Sequence, residues 1–184
     1  CALPISTVIG LLFSSFGVTL LTVSIPMGRL SDRIGRRVPL VLALVALAAS
    51  SLIFGLVNHI AWLFIARLIQ GAADAVAWVV GFALVADLYA PEDRGRVLGV
   101  VMAGANAGLM VGPTLGGWLY EAGGFVLPFV AVAIAALVLA VMVWGARMPP
   151  AVGGIETLPL LDLVRRPPIA ACAAAVAMAA ATVS

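Results

Sequence analysis

Apolar positions gather into six continuous stretches along the 184-residue chain, 5–27, 38–57, 60–86, 97–119, 125–144 and 169–184, with short polar segments between them. The first five are each about 20 residues or longer, enough as helices to cross a hydrocarbon core of ~30 Å, and the sixth stops with the chain. The apolar residues run on without alternating with polar ones, which predicts helices rather than the strands of a barrel. The pattern therefore predicts an all-α fold, a polytopic membrane helical bundle of five full spans plus a truncated sixth.

Composition agrees with the pattern: 64% of residues are hydrophobic and 10% are charged, against about 25% charged in an ordinary soluble domain. Sixteen of the 18 charged residues fall outside the apolar stretches. Too few charges remain to coat a water-soluble globule, which argues against a soluble enzyme, a disordered chain, a secreted disulfide module or a nucleic-acid binder. A net charge of +2 calls for no polyanionic partner. The two cysteines, Cys1 and Cys172, are read as free thiols. There is no His, Cys or carboxylate cluster with metal spacing, no Ser/His/Asp set and no phosphate-binding loop, so neither a metal, a cofactor nor enzyme chemistry is expected.

The arginines set the orientation. Arg29, Arg33, Arg36 and Arg37 lie in 28–37, Arg94 and Arg96 in 87–96, and Arg147, Arg165 and Arg166 in 145–168, whereas 58–59 and 120–124 hold none. Nine of the ten basic residues thus occupy alternate loops, and since short cytoplasmic loops retain Lys and Arg, those three are placed inside. The first span then runs from outside to inside with no signal before it, and the last begins after Pro167 and Pro168 and halts at Ser184. An internal fragment of a longer protein is expected, lacking at least one span before it.

The loop Gly28-Arg29-Leu30-Ser31-Asp32-Arg33-Ile34-Gly35-Arg36-Arg37 is read as a tight cytoplasmic turn, with Pro39 near the first turn of the next helix. Its glycines permit tight geometry, and Asp32 among four arginines suggests an ion-pair network. By charge alone a plain positive-inside anchor is the favoured account. At every motif position, however, the loop resembles G-x-L-[AS]-D-R-x-G-R-[RK], the signature of the major facilitator superfamily between its second and third helices. The resemblance implies a cytoplasmic gating role for Asp32, Arg33 and Arg36, with Gly28, Gly35 and Arg37 completing the motif.

Span 60–86 carries the intramembrane charges, Arg67 and Asp74, with Gln70 between them. At 100° per residue the three point nearly the same way and form one polar stripe. Counted from Ala61 at ~1.5 Å per residue, Asp74 lies ~20 Å into the helix, about halfway. Charge at such depth costs at least ~2.5–3.5 kcal/mol and commonly marks an ion or proton pathway. The structural alternative is an Arg67–Asp74 pair that neutralises itself, bridged by Gln70 or water. Arg67-Leu68-Ile69-Gln70-Gly71 resembles the R-x-x-Q-G motif of the fourth helix in proton-coupled members of that superfamily, which implies proton coupling at Arg67. Asp74 departs from that pattern, and its role rests on depth. Trp78, on the same stripe, is a candidate aromatic face for a cationic substrate, or simply packing.

In span 97–119, Gly104, Gly108, Gly112 and Gly116 recur every fourth residue, with Pro113 and Gly117 beside them. The ladder predicts a bare groove for close helix packing, and Pro113 a kink. Gly108-x-x-x-Gly112-Pro113-x-x-Gly116-Gly117 resembles the fifth-helix signature of drug:proton antiporters in the same superfamily. Together with Pro91-Glu92-Asp93-Arg94-Gly95-Arg96 and Leu119-Tyr120-Glu121, it looks most like vesicular amine transporters and bacterial multidrug efflux proteins. Asn106 is expected to hydrogen-bond between helices, and His59 to be a solvated residue of the outer turn.

On that resemblance, 1–144 is part of an N-terminal six-helix bundle without its first helix, 145–168 a cytoplasmic linker, and 169–184 the start of the C-terminal bundle. The implied function is multidrug-type antiport of small organic cations against protons by alternating access, powered by the proton gradient. A monomer is expected when the chain is complete, multi-pass in the cell membrane, with the lipid bilayer as partner and no nucleic acid. A facilitator or proton symporter of another solute stays open, as does a non-transporting scaffold or channel.

Overall fold

The computed structural model describes residues 5–57 and 59–146. The expected linker beyond Ala146, the apolar stretch 169–184 and both cysteines lie outside the described residues. Within them the chain forms five helices: α1 (Ile5–Ile34), α2 (Arg37–Leu56), α3 (Ile60–Leu88), α4 (Pro91–Gly123) and α5 (Val126–Gly145). All five contain a segment long and apolar enough to cross a membrane, so the chain is a multi-pass membrane protein.

The helices are longer than the apolar stretches, and the polar segments shrink accordingly. Residues 28–34 are not part of a loop, because α1 continues through them to Ile34 and leaves only Gly35 and Arg36 between helices. Arg29, Leu30, Asp32 and Arg33 sustain helical hydrogen bonding as readily as the apolar turns before them, and Ser31 is fully buried. Gly35 ends the helix with φ of +87°, a left-handed conformation that a Cβ would strain. Likewise 87–96 reduces to Tyr89 and Ala90, and the outer segment 120–124 is helical to Gly123. Pro91 opens α4, where its missing N–H costs nothing, and Glu92 and Asp93 complement the positive end of the helix dipole. His59, exposed as expected, caps α3 by accepting a hydrogen bond at Nδ1 from the Ala61 N–H at 3.4 Å.

Packing is concentrated where side chains are small. α2 lies between α3 and α5, and α1 packs along α3. Ala43, Ala73, Val76 and Val80 form one buried cluster, flanked by Val23, Met27, Leu40, Ala46 and Leu47; Ala48, Ala133 and Ala136 form another between α2 and α5. At Gly71 a Cβ would meet the Phe16 carbonyl oxygen at 2.6 Å, and at Gly55 it would meet Phe129 Cβ at 2.9 Å. Such close backbone approach is how helices gain attraction in lipid, where the surroundings are as apolar as the side chains. By contrast, among the described residues α4 has none that is buried and touches only α3 and α5. Leu109 and Met110 on it are 75% and 80% exposed, a surface suited to lipid or to further helices rather than water.

Candidate functional site

Two groups of polar side chains stand out against this apolar frame. The first gathers at the end of the bundle where α1, α3 and α5 finish and α2 and α4 begin. Arg36, 7% exposed, donates from Nε to Asp87 Oδ2 at 2.9 Å, and from Nη1 to Ser31 Oγ at 2.7 Å and to Asp32 Oδ1 at 2.5 Å. Ser31 Oγ in turn donates to the Gly28 carbonyl at 2.9 Å. Burial by itself pulls the Arg36 pKa down, but its bonds to Asp87 and Asp32 more than offset this and hold it above the ordinary value, so the guanidinium stays charged. Arg37 donates from Nη2 to the Ala146 carbonyl, joining the start of α2 to the end of α5. Arg94 donates to the Ala86 carbonyl at 2.8 Å and the Tyr89 carbonyl at 3.0 Å, closing the last turn of α3 from α4.

Of the arginines that the sequence placed in alternate loops, Arg29, Arg33, Arg36, Arg37, Arg94 and Arg96 lie at this end of the bundle, and Arg147, Arg165 and Arg166 lie outside the described residues. The expected network is narrower than the charge run suggested: among the described residues Asp32 pairs with Arg36, while Arg33 and Arg29 are exposed and make no ion pair. Asp87 and Ser31 belong to the network, and sequence reasoning missed both. Asp87 was passed over as one charge in a polar segment; the signal was its position at the end of α3, the only carboxylate between Asp74 and Glu92.

The second group is the stripe on α3. Arg67, Gln70, Asp74 and Trp78 are all half-buried. They lie well round the helix from Ala73, Val76 and Val80, which pack on α2. Arg67 donates from Nη1 to Gln70 Oε1 at 3.0 Å. Its guanidinium carbon sits 5.3 Å from the Phe13 ring centroid and 4.9 Å from that of Phe54. No direct Arg67–Asp74 ion pair forms among the described residues; Gln70, which lies between them on the stripe, is bonded to Arg67. Trp78 lies one turn beyond Asp74 on the same stripe, and its ring tilts at 53° against Phe82, centroids 5.3 Å apart. Phe82, four residues beyond Trp78, packs against its ring one turn farther from the carboxylate. Its spacing was visible in the sequence, but as one apolar residue in an apolar helix it gave no signal.

A family model described as Major Facilitator Superfamily matches residues 5–184. The chain belongs to the Major Facilitator Superfamily. Curated relatives include the vesicular acetylcholine transporter of Homo sapiens, 37% identical over 142 residues, 77% of this chain and 27% of its own length. The synaptic vesicular amine transporter of Homo sapiens is 36% identical over 132 residues, 71% of this chain and 25% of its own. The chromaffin granule amine transporter of Rattus norvegicus is 32% identical over 178 residues, 93% of this chain and 33% of its own. The chain thus spans about a quarter to a third of the length of these relatives. All three are transporters by name, not enzymes.

Within the superfamily bundle the two glycine-bearing motifs are used differently. Gly71, which closes the Arg67–Gln70 motif, is buried at the crossing of α1 and α3. Gly28 lies near Val79, whose Cγ1 would be 3.5 Å from an added Cβ. The ladder of Gly104, Gly108, Gly112, Gly116 and Gly117 packs on nothing: an added Cβ at any of them would find open space among the described residues. α4 runs helical through Pro113. Asn106 does not reach another helix either. Its side chain is exposed, and its amide donates to the Met102 carbonyl of its own helix at 2.9 Å.

Proposed function

We propose that the intact protein is a secondary transporter that exchanges small organic cations for protons by alternating access. The observation that carries this reading is the half-buried Asp74 carboxylate, set within a membrane span on one stripe with Trp78, and in no ion pair with the arginine two turns away. A carboxylate beside aromatic faces suits an organic cation, attracted by the negative charge and by the ring quadrupoles. The same carboxylate takes a proton when water reaches it. Cation and proton compete for one group, so release of one accompanies binding of the other, which is the elementary step of exchange.

Arg67 supports this step as a fixed positive charge on the same stripe, and the Arg36–Asp87–Asp32 network serves as a cytoplasmic clasp that opens and closes as the helix ends move. The relatives named for acetylcholine and amines favour an organic cation as substrate. The glycine face of α4 supports exchange through its resemblance to antiporter helices. A proton moving inward at ~100 mV supplies ~2.3 kcal/mol, so no cofactor is required. On this reading the intact protein works in the cell membrane as a monomer.

The test is uptake of a fluorescent organic cation, ethidium, into everted membrane vesicles bearing the intact protein. Uptake is expected to require an acid interior, to collapse with an uncoupler, and to be lost in Asp74→Asn. Uptake that persists in Asp74→Asn with full proton dependence removes Asp74 from the mechanism. Proton-independent equilibration in the wild type favours a facilitator instead.

A further inference from the structure

Arg67 is held by carbon rather than by a carboxylate. Phe13 from α1 and Phe54 from α2 both face its guanidinium, at 5.3 and 4.9 Å. Phe54 stacks at 17° on Phe129 of α5, centroids 6.2 Å apart, and Phe129 tilts against Phe125 at 5.1 Å. Phe129 is itself fixed by the tight crossing at Gly55. A file of rings from α5 through α2 therefore ends on the guanidinium of α3, and Phe13 closes it from α1.

A phenylalanine ring attracts the guanidinium through its quadrupole but neither neutralises it nor accepts its protons. Among the described residues Gln70 is the only side-chain hydrogen-bond partner of Arg67. Among the residues of α1 before Gly28, of α2 after Arg37 and of α3 between Ile60 and Ala86, the only other charged group is Asp74. It lies on the same stripe, two turns or about 10 Å of helix axis away, with Gln70 between. In a weakly screening interior, an arginine released from the rings has that carboxylate as its strongest available partner.

We propose that Phe54, with Phe13, is a positioning residue that draws the Arg67 guanidinium away from Asp74 and so keeps the carboxylate free for the organic cation. The proposal rests on the assignment of Asp74 as the cation-binding group. The rings act through Arg67 and touch no substrate. Their removal lets Arg67 compete with the substrate for Asp74, which weakens cation binding without deleting any group that binds it.

The experiment is equilibrium binding of ethidium to the intact, purified protein, read by fluorescence anisotropy. Phe54→Leu is expected to raise Kd about 2- to 10-fold, the range that loss of one cation–π contact allows. Phe54→Trp, which restores a face, is expected to keep the wild-type Kd. In an Arg67→Gln background, Phe54→Leu is expected to add nothing, since no guanidinium remains to be released. An unchanged Kd in Phe54→Leu, or an equal rise with and without Arg67, overturns the proposal. Should Phe54→Leu fail to fold, Phe13→Leu replaces it: Phe13 is 64% exposed, so its loss leaves no buried void. Asp74→Asn separates the two levels. Wild-type affinity in that variant overturns the assignment of Asp74, whereas weakened binding there with an unchanged Kd in Phe54→Leu overturns the aromatic restraint alone.

Discussion

Arg36 and Asp87 meet at 2.9 Å across 51 positions of sequence, joining the turn before α2 to the last turn of α3. Both side chains are largely withdrawn from solvent, 7% and 12% exposed, whereas Asp32, the other partner of Arg36, is 59% exposed. Removing the buried partner leaves Arg36 only the exposed Asp32 as counter-charge, a loss that falls short of the about 3–5 kcal/mol of a wholly unpaired buried charge but exceeds the about 0–1 kcal/mol of an exposed pair. Asp87→Ala is therefore expected to lower the unfolding midpoint of the detergent-purified protein sharply, and Asp32→Ala only slightly. A larger effect at Asp32 would mean that the exposed carboxylate, not the buried one, holds the clasp.

Gly71 gives a second contrast. An added methyl there would lie 2.6 Å from a backbone oxygen of α1, which no rotamer change relieves, whereas at Gly81 on the same helix it would meet nothing within 4 Å. Gly71→Ala should cost about 1–3 kcal/mol through overpacking. Gly81→Ala should be neutral or gain up to about 1 kcal/mol from helix propensity. Thermal unfolding of the two variants side by side decides the matter, and equal midpoints would contradict the close approach of α1 and α3.

Arg94 closes the end of α3 with hydrogen bonds to two carbonyls, Ala86 and Tyr89. Arg94→Ala leaves both without a protein partner and is expected to cost about 1–2 kcal/mol. Because Ala86 and Asp87 are adjacent, hydrogen exchange should rise at the end of α3 before it rises elsewhere. Exchange confined to α4 would instead show that Arg94 anchors only its own helix.

The arrangement of arginines predicts sidedness. A cysteine at His59, in a protein otherwise free of cysteine, should react with a membrane-impermeant maleimide added outside intact cells. A cysteine at Asp93 should react only after the membrane is opened. The reverse pattern would invert the topology and with it the direction of exchange.

Periodicity, hydropathy and charge determined much about this protein. Five spans, their order, the family motifs and the stripe of Arg67, Gln70, Asp74 and Trp78 were legible because each depends on neighbours within one or two turns, where spacing alone fixes which side chains share a face. Helix ends were less legible, since the polar residues 28–34 continue a helix that hydropathy had ended. Tertiary structure alone decided the partners: Arg36 with Asp87, Arg67 with Phe13 and Phe54, and Gly71 with the backbone at Phe16. These contacts join residues far apart in sequence, and a buried charge takes whichever carboxylate or ring the crossing of helices delivers to it. By local spacing Arg67 and Asp74 were each other's nearest opposite charge. The packing of α1 and α2 against α3 placed two rings on the arginine and left the aspartate open.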